Sequence, residues 1–330
     1  MRELVNGPND NTFAGYESTI VVDSNSETVS VALAVDFPAM FAIVFQEKDL
    51  SVSANAVATV VRQTDNGCLY ILDPESTNSL MTTGRSTIVA TGCVINVHST
   101  ASPAVSATGN SGMIAQSYCV AGDTYGSAIQ GEITTQCRVN PDPYASLTIP
   151  KGGDCDYNFL RVKGDRTLNP GVYCGGIFVN SQSKVTLNPG VYFIRDGKFE
   201  IEGRAIVHVE QSTLVLEGDG RIERTGQGEL FMSPSTSGPL EGFSIVQSRF
   251  APVDLQSRIA GGGVVEISGA VYTPLMNFTL AGNSATSVDA PRYSYFVANR
   301  LVTAGTADIL FEKGTDPGNT GPEDTVRLVN

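Results

Sequence analysis

The hexapeptide Leu168-Asn169-Pro170-Gly171-Val172-Tyr173 returns unchanged as Leu187-Asn188-Pro189-Gly190-Val191-Tyr192, nineteen residues further along. Self-similarity at a fixed period marks a stacked repeat, in which each unit buries its apolar side only against its neighbours. The residues also say what the unit is. Proline fixes φ at the second position of a turn and glycine supplies a positive φ at the third, so Asn-Pro-Gly reads as a type II turn at Pro170-Gly171 and at Pro189-Gly190. Val-Tyr then opens a strand. A barrel or sandwich would also contain many short strands, but strand-turn-strand content at a constant spacing suits a coil. The expectation is an all-β chain whose bulk is a right-handed parallel β-helix, a β-solenoid, with roughly ten coils of about twenty residues.

The remainder of the chain divides around that reading. From Cys68 onward no segment carries helical periodicity. Alternating strands are expected at 199–202, 205–209, 214–217, 229–232 and 264–272, the last with Val265, Ile267, Gly269 and Val271 in alternation. With 34 glycines, 17% charged residues and no tryptophan, the composition is that of a strand-and-turn protein. The first 65 residues read differently. Val29, Val31, Leu33 and Val35 alternate as in a half-buried strand, and Ser51 to Val61 does likewise. Between them Asp36 is placed to cap a short helix with Pro38 in its first turn and Phe37, Met40, Phe41, Val44 and Phe45 on one face. The expected plan is a small α+β unit at 1–65, a β-helix at 66–312 and a loose tail at 313–330, rich in Gly, Pro, Asp and Thr. Open ends of a stacked sheet invite aggregation, and the N-terminal unit is expected to cap one of them.

Six cysteines, Cys68, Cys93, Cys119, Cys137, Cys155 and Cys174, fall in the middle of the chain without a CxxC pair. That spacing argues against a zinc knuckle. An even count fits disulfides made in an oxidising compartment, with six buried thiols in a cytosolic protein as the alternative. Joining neighbours (Cys68 with Cys93, Cys119 with Cys137, Cys155 with Cys174) closes loops of about one coil each and is one of fifteen connectivities.

Several short runs resemble a known family. Pro170-Gly171-Val172-Tyr173-Cys174-Gly175-Gly176-Ile177, its echo at Pro189, Gly92-Cys93-Val94 with Asn96, and Gly269-Ala270-Val271-Tyr272-Thr273-Pro274 are similar to the C-terminal region of TadG-like proteins of the bacterial tight-adherence (Flp) pilus systems. The Val-rich strand, Phe37-Pro38-Ala39-Met40-Phe41 and the 52–58 stretch look like the part that follows the membrane helix in TadE/TadG-like proteins. The resemblance implies a pilin-like character for the N-terminal unit and an extracytoplasmic location. It also implies a membrane helix preceding Met1, the chain's sole link to a membrane, and partners among the other pilus-system proteins or a surface glycan. Longer members carry a metal-dependent adhesion domain, but the Asp-x-Ser-x-Ser run of that domain is missing here.

Chemistry-bearing motifs are sparse. A net charge of −13 without any Lys/Arg block leaves no footprint for nucleic acid or an anionic membrane. His98 and His208 lie far apart, and no nucleophile elbow, HExxH or P-loop occurs. The carboxylate pairs Asp154/Asp156 and Glu200/Glu202, each two residues apart, share a strand face and form the basis of a rival reading as a β-helix polysaccharide lyase or hydrolase. A second rival is a glycan- or ice-binding solenoid. Asp308, Asp316, Glu323 and Asp324 bracket a Gly-rich segment that could hold calcium, although their spacing matches no calcium motif. Tyr272, Phe278, Tyr293, Tyr295 and Phe296 offer either a docking surface or core packing. The expectation is a non-enzymatic structural and interaction component of a Tad-type pilus, without catalytic, cofactor or metal-binding residues.

Overall fold

The computed structural model describes residues 2–4, 16–23, 28–38, 49–61, 67–282, 292–311 and 325–329. Every regular element among them is a strand. The chain forms two compact units, 1–65 with 321–330, and 66–320.

The first unit is an antiparallel sheet with the order Arg2–Leu4, Tyr16–Asp23, Thr28–Pro38, Asp49–Val61, Thr325–Val329. The strand expected at Thr28 continues through the supposed helix start, because Asp36, Phe37 and Pro38 pair with Ser51, Leu50 and Asp49. The ladder satisfies backbone groups that a helix cap would otherwise serve, and Pro38 stands at the strand's end, where a missing N–H is tolerated. The remainder of that expected helix, Met40 to Phe45, lies outside the described residues. The expected loose tail is also corrected in part. Val326 and Leu328 alternate with Thr325 and Arg327, and this stretch pairs with 57–61 as an edge strand.

The second unit is a parallel β-solenoid of about ten turns. One turn shows its plan. Gly171–Val179 bends at Gly175-Gly176 and so supplies two straight runs, while Lys184–Leu187 supplies a third. The next turn repeats this with Gly190–Ile201 and Ile206–Val209, each run pairing in parallel with its counterpart. Three faces result. At the bend, a Cβ on Gly176 would stand 2.2 Å from the Lys198 carbonyl oxygen, so only glycine lets adjacent corners close up.

The two hexapeptides lie on adjacent rungs. Leu168 pairs with Leu187, and the Tyr173 and Tyr192 rings stack 6.0 Å apart, with Tyr157 continuing the column at 4.8 Å. Each tyrosine hydroxyl donates to the asparagine carbonyl four residues back (2.5 Å to Asn169, 2.6 Å to Asn188), and Asn188 Nδ2 donates to Asn169 Oδ1 at 2.8 Å. The tyrosine thus closes its own turn, which explains why the motif includes it. The turn itself is not type II. Gly171 and Gly190 have φ of 159° and 146°, far from the value near +80° of that turn, and both already belong to the following strand.

The coil is not wound in chain order. Following one outward column through the ladder gives Val172, Phe193, Val215, Val246, Tyr272, Val297, then Tyr70, Asn96, Cys119 and Thr134. The chain therefore enters the stack in its middle, where Gly67–Ile71 pairs with Arg292–Gly305, and climbs to one end at Ile129–Thr135. Residues 136–156 return along the whole stack to the other end, at Tyr157–Val162, and the coil then winds back to Phe311 beside its starting point. Topologically this is one continuous solenoid, circularly permuted. A corner of stacked glycines runs unbroken through the seam: Gly203, Gly226, Gly261, Gly282, Gly305, Gly84, Gly109. A Cβ on Gly84 would lie 2.8 Å from the Gly305 carbonyl oxygen, the same distance as Gly305 to Gly282.

Candidate functional site

The return segment 136–156 is a strap across the outer side of the first face. Strands on this face are apolar on both sides. Inward residues such as Leu69, Ile71, Leu214, Leu216, Ile245 and Phe296 fill the solenoid core. Outward residues Tyr70, Val215, Phe243, Val246, Tyr272 and Val297 form a second buried layer with Tyr144 of the strap, against which Leu147 and Ile149 also pack. Tyr144 is fully buried and meets Phe243, Tyr272 and Tyr295 edge-on at centroid distances of 5.0, 5.6 and 6.0 Å.

Polar contacts pin the strap along its length. Near the start, His98 Nε2 and the Asn140 carbonyl are 2.8 Å apart. Asp142 accepts from the Tyr144 amide (2.9 Å) and from the Tyr272 hydroxyl (2.8 Å). Arg249 donates to the carbonyls of Tyr144 and Ala145 while its guanidinium lies over the Tyr272 ring. Lower down, Arg195 pairs with Glu217 at 2.7 Å and donates to the Gly152 and Gly153 carbonyls, and the Gly152 amide donates to Glu217 at 2.8 Å. Gly152 sits close under these groups, where a Cβ would stand 2.8 Å from Arg195 Nη2. Burial pushes the Tyr272 hydroxyl well above its usual range, with the adjacent Asp142 carboxylate adding to the effect, so it remains a donor at every working pH.

The cysteines close this arrangement covalently. Cys119–Cys137 fixes the strap where it leaves one end, and Cys155–Cys174 fixes it where it joins the other. Cys68–Cys93 bridges adjacent turns at mid-stack.

The residues singled out for chemistry do not converge. His98 lies under the strap, and burial lowers its pKa. His208 is on the third face, stacked on Phe231 at 4.9 Å. Asp154 and Asp156 flank Cys155 in the strap's last residues rather than on a strand, and Asp156 Oδ2 accepts from the Val172 amide at 2.7 Å. Glu200 points outward on the second face between Phe178 and Glu223, with Glu202 in the turn that follows. Burial raises the Glu200 pKa, and Glu202 and Glu223 add to this while Lys198 opposes it. Asp308 begins the Asp308–Phe311 strand, and the other three members of the acidic group lie outside the described residues. Of the late aromatics, Tyr272, Phe278 and Phe296 are buried, and Tyr295 packs beneath the strap. Among the described residues no group of three His, Cys, Asp or Glu side chains is placed to hold a metal, and no helix is long and apolar enough to cross a membrane.

Sequence reasoning overlooked the strap's role and the loop after Phe243–Gln247. That loop grips the strap through Arg249 and leaves Phe250 and Val253 exposed, with Lys151 Nζ 4.9 Å from the Phe250 ring centroid. No protein-family profile, curated protein or solved structure matches the chain.

Proposed function

We propose that this chain is a non-enzymatic structural and interaction component of a bacterial surface-appendage system of the Tad type, acting in pilus assembly, anchoring or surface adhesion. Three disulfides point to an oxidising, extracytoplasmic environment. The observation that carries the functional reading is the strap, locked at both ends by a disulfide and buried along its middle. A parallel stack unwinds rung by rung from its ends, and a strap fixed to both terminal regions opposes that. Such a shaft suits a part that bears load or holds a partner outside the cell. The Tad assignment itself rests on the resemblance of the Pro-Gly-Val-Tyr runs and the 28–58 region. Its partners in this reading are other pilus-system proteins, with a surface glycan as the adhesive ligand.

The test is deletion of the gene in its native bacterium, with complementation. Loss of surface pili or of adhesion, restored by the intact gene, is the expected result. Unchanged piliation and adhesion would overturn the proposal. So would cleavage of an acidic polysaccharide by the purified protein that Glu200→Gln abolishes.

A further inference from the structure

The two ends of the solenoid differ in charge while sharing one backbone geometry. At one end the last turn runs from Asp123 to Thr135. It carries Asp123 and Glu132 and no Lys or Arg. At the other end the last turn runs from Tyr157 to Leu168 and carries Arg161, Lys163 and Arg166 against Asp165 along its second and third faces, while the exposed Asp154 and Asp156 stand just before it at the first face. In a chain with a net charge of −13, a cationic surplus on two faces of a terminal turn is the exception. Asp123, Glu132, Arg161, Lys163, Asp165 and Arg166 are all exposed.

Both ends also leave backbone and apolar surface open. Among the described residues Ile129–Thr135 pairs only with Gly112–Val120, and Tyr157–Val162 only with Gly171–Val179, so each presents one unpaired ladder edge. Ile133 stands in register with the core residue Tyr118 yet is 39% exposed, and Tyr125, on the second face of the same turn, is 64% exposed. At the other end Phe159 is 70% exposed. The strap does not cover the first edge. It doubles back at once, the Gln136 and Cys137 amides bonding to the Gly122 and Val120 carbonyls.

We propose that these ends are the two halves of one interface and that a second copy of this chain stacks end to end on the first. The 157–168 turn of one molecule continues the parallel ladder of the 123–135 turn of the next. The strands run in one direction throughout the stack, so on the second face Asp123 and Tyr125 of one end meet Arg161 of the other in the orientation that the ladder needs. The outward columns place Tyr125 next in line to Arg161 across the junction, since Arg161, Phe178 and Glu200 through to Ser106 and Tyr125 form one file. The contact is heterologous and does not close on itself, so it builds linear chains of molecules. This inference does not depend on the pilus assignment.

Analytical ultracentrifugation of the full chain tests it. Weight-average mass is expected to rise with concentration at 50 mM salt and to fall back toward the monomer at 500 mM, because the attraction is between exposed charges. Asp123→Lys alone, and Arg161→Glu with Lys163→Glu, should each weaken self-association by about tenfold or more, since Asp123 stands two residues before Tyr125 in the file that meets Arg161 and each change sets like charges against each other at the junction. Mixing the two variants should restore association, because each supplies the end that the other needs. A monomeric wild type at every concentration and salt overturns the proposal. So does a pair of variants, each retaining three disulfides by thiol titration, whose mixture stays as weakly associated as its components.

Discussion

Replacing Tyr144 by alanine tests whether the second apolar layer, and not only the disulfides, holds the strap to the solenoid. The ring is completely buried and touches three other rings edge-on, at 5.0 to 6.0 Å. Truncating a buried aromatic costs about 3 to 5 kcal/mol, and edge-to-face pairs at roughly 0.5 to 1.5 kcal/mol each lie within that figure. The flanking disulfides prevent the strap from leaving, so the loss should appear first as local opening of residues 138–153. A change of about 4 kcal/mol corresponds to several hundred-fold to a thousand-fold faster amide exchange there. Hydrogen exchange read by mass spectrometry on peptides spanning 138–153 is the assay, with the guanidinium midpoint as a second readout. Phe250→Ala is the control, because that ring is 82% exposed and its removal should change stability by no more than about 0.5 kcal/mol. If Tyr144→Ala changes neither exchange nor midpoint by more than about 1 kcal/mol, the layer is not what fastens the strap and the reasoning fails.

Three further outcomes follow from the same geometry. Replacing both Cys119 and Cys137 by serine opens a loop of eighteen residues' separation and should lower unfolding free energy by about 3 kcal/mol in the loop-entropy picture, measured by denaturant titration. Gly84→Ala, at φ 80° with a carbonyl 2.8 Å from the new carbon, should cost at least about 2 kcal/mol, whereas Gly153→Ala, which has open space around it, should be near neutral. Glu200 has a pKa raised above the ordinary glutamate value of 4.5, so its protonated form is favoured by folding and the group subtracts from stability once both states are ionised. Glu200→Gln should therefore be slightly more stable than wild type at pH 7, with the gain fading as pH falls through the range in which the wild-type carboxyl becomes protonated. A gain that grew on acidification would contradict this.

What the sequence made legible, and what it hid, has a physical pattern. The hexapeptide echo was readable because both copies need the same closure, a tyrosine hydroxyl reaching back to an asparagine carbonyl on a glycine-started strand. The other turns were harder to read because the connections between faces vary in length, as between Met232 and Phe243 or Gln247 and Leu255. Runs such as Leu69-Tyr70-Ile71 and Leu214-Val215-Leu216, apolar without alternation, did carry the signal of strands buried on both sides, and hence of a covering layer. The cover is three scattered residues, Tyr144, Leu147 and Ile149, in a stretch whose prolines and acids read as an ordinary loop. The seam left no local trace at all. Which rung lies against which is set by where the long connection runs, and parallel pairing uses the same residues whatever the order of the turns. In the N-terminal unit, the helical spacing of Phe37, Met40 and Phe41 competed with strand alternation from Val29 onward, and cross-strand pairing decided the outcome as far as Pro38.

The seam makes the most searching prediction. Phe311 ends the run that pairs with 87–89, and Gly67 begins the next run up the same coil. Elsewhere in the stack that same step, from Val209 to Ser212, takes two intervening residues. A linker of about three glycine or serine residues, reaching roughly 10 Å, should therefore join Phe311 to Gly67 without strain. A permuted chain can begin at Pro150, run to Phe311, pass through that linker to Gly67 and end at Ile149. It omits the first unit and opens the strap between its two disulfides. It should fold with the strand signature of the parent and no free thiols, since each bridge still joins residues that neighbour one another in the stack. It should also be less stable by a few kcal/mol, because the strap no longer ties one end covalently to the other. In a solenoid wound in chain order the same operation would ask three residues to span the length of the stack and would sever it in the middle, leaving no folded product. Circular dichroism, thiol titration and a cooperative denaturant transition separate the two cases. A permuted chain with free thiols and no cooperative transition would mean that the turns at Gly67 and Phe311 are not neighbours, and the stacking order built on that pairing would fall with it.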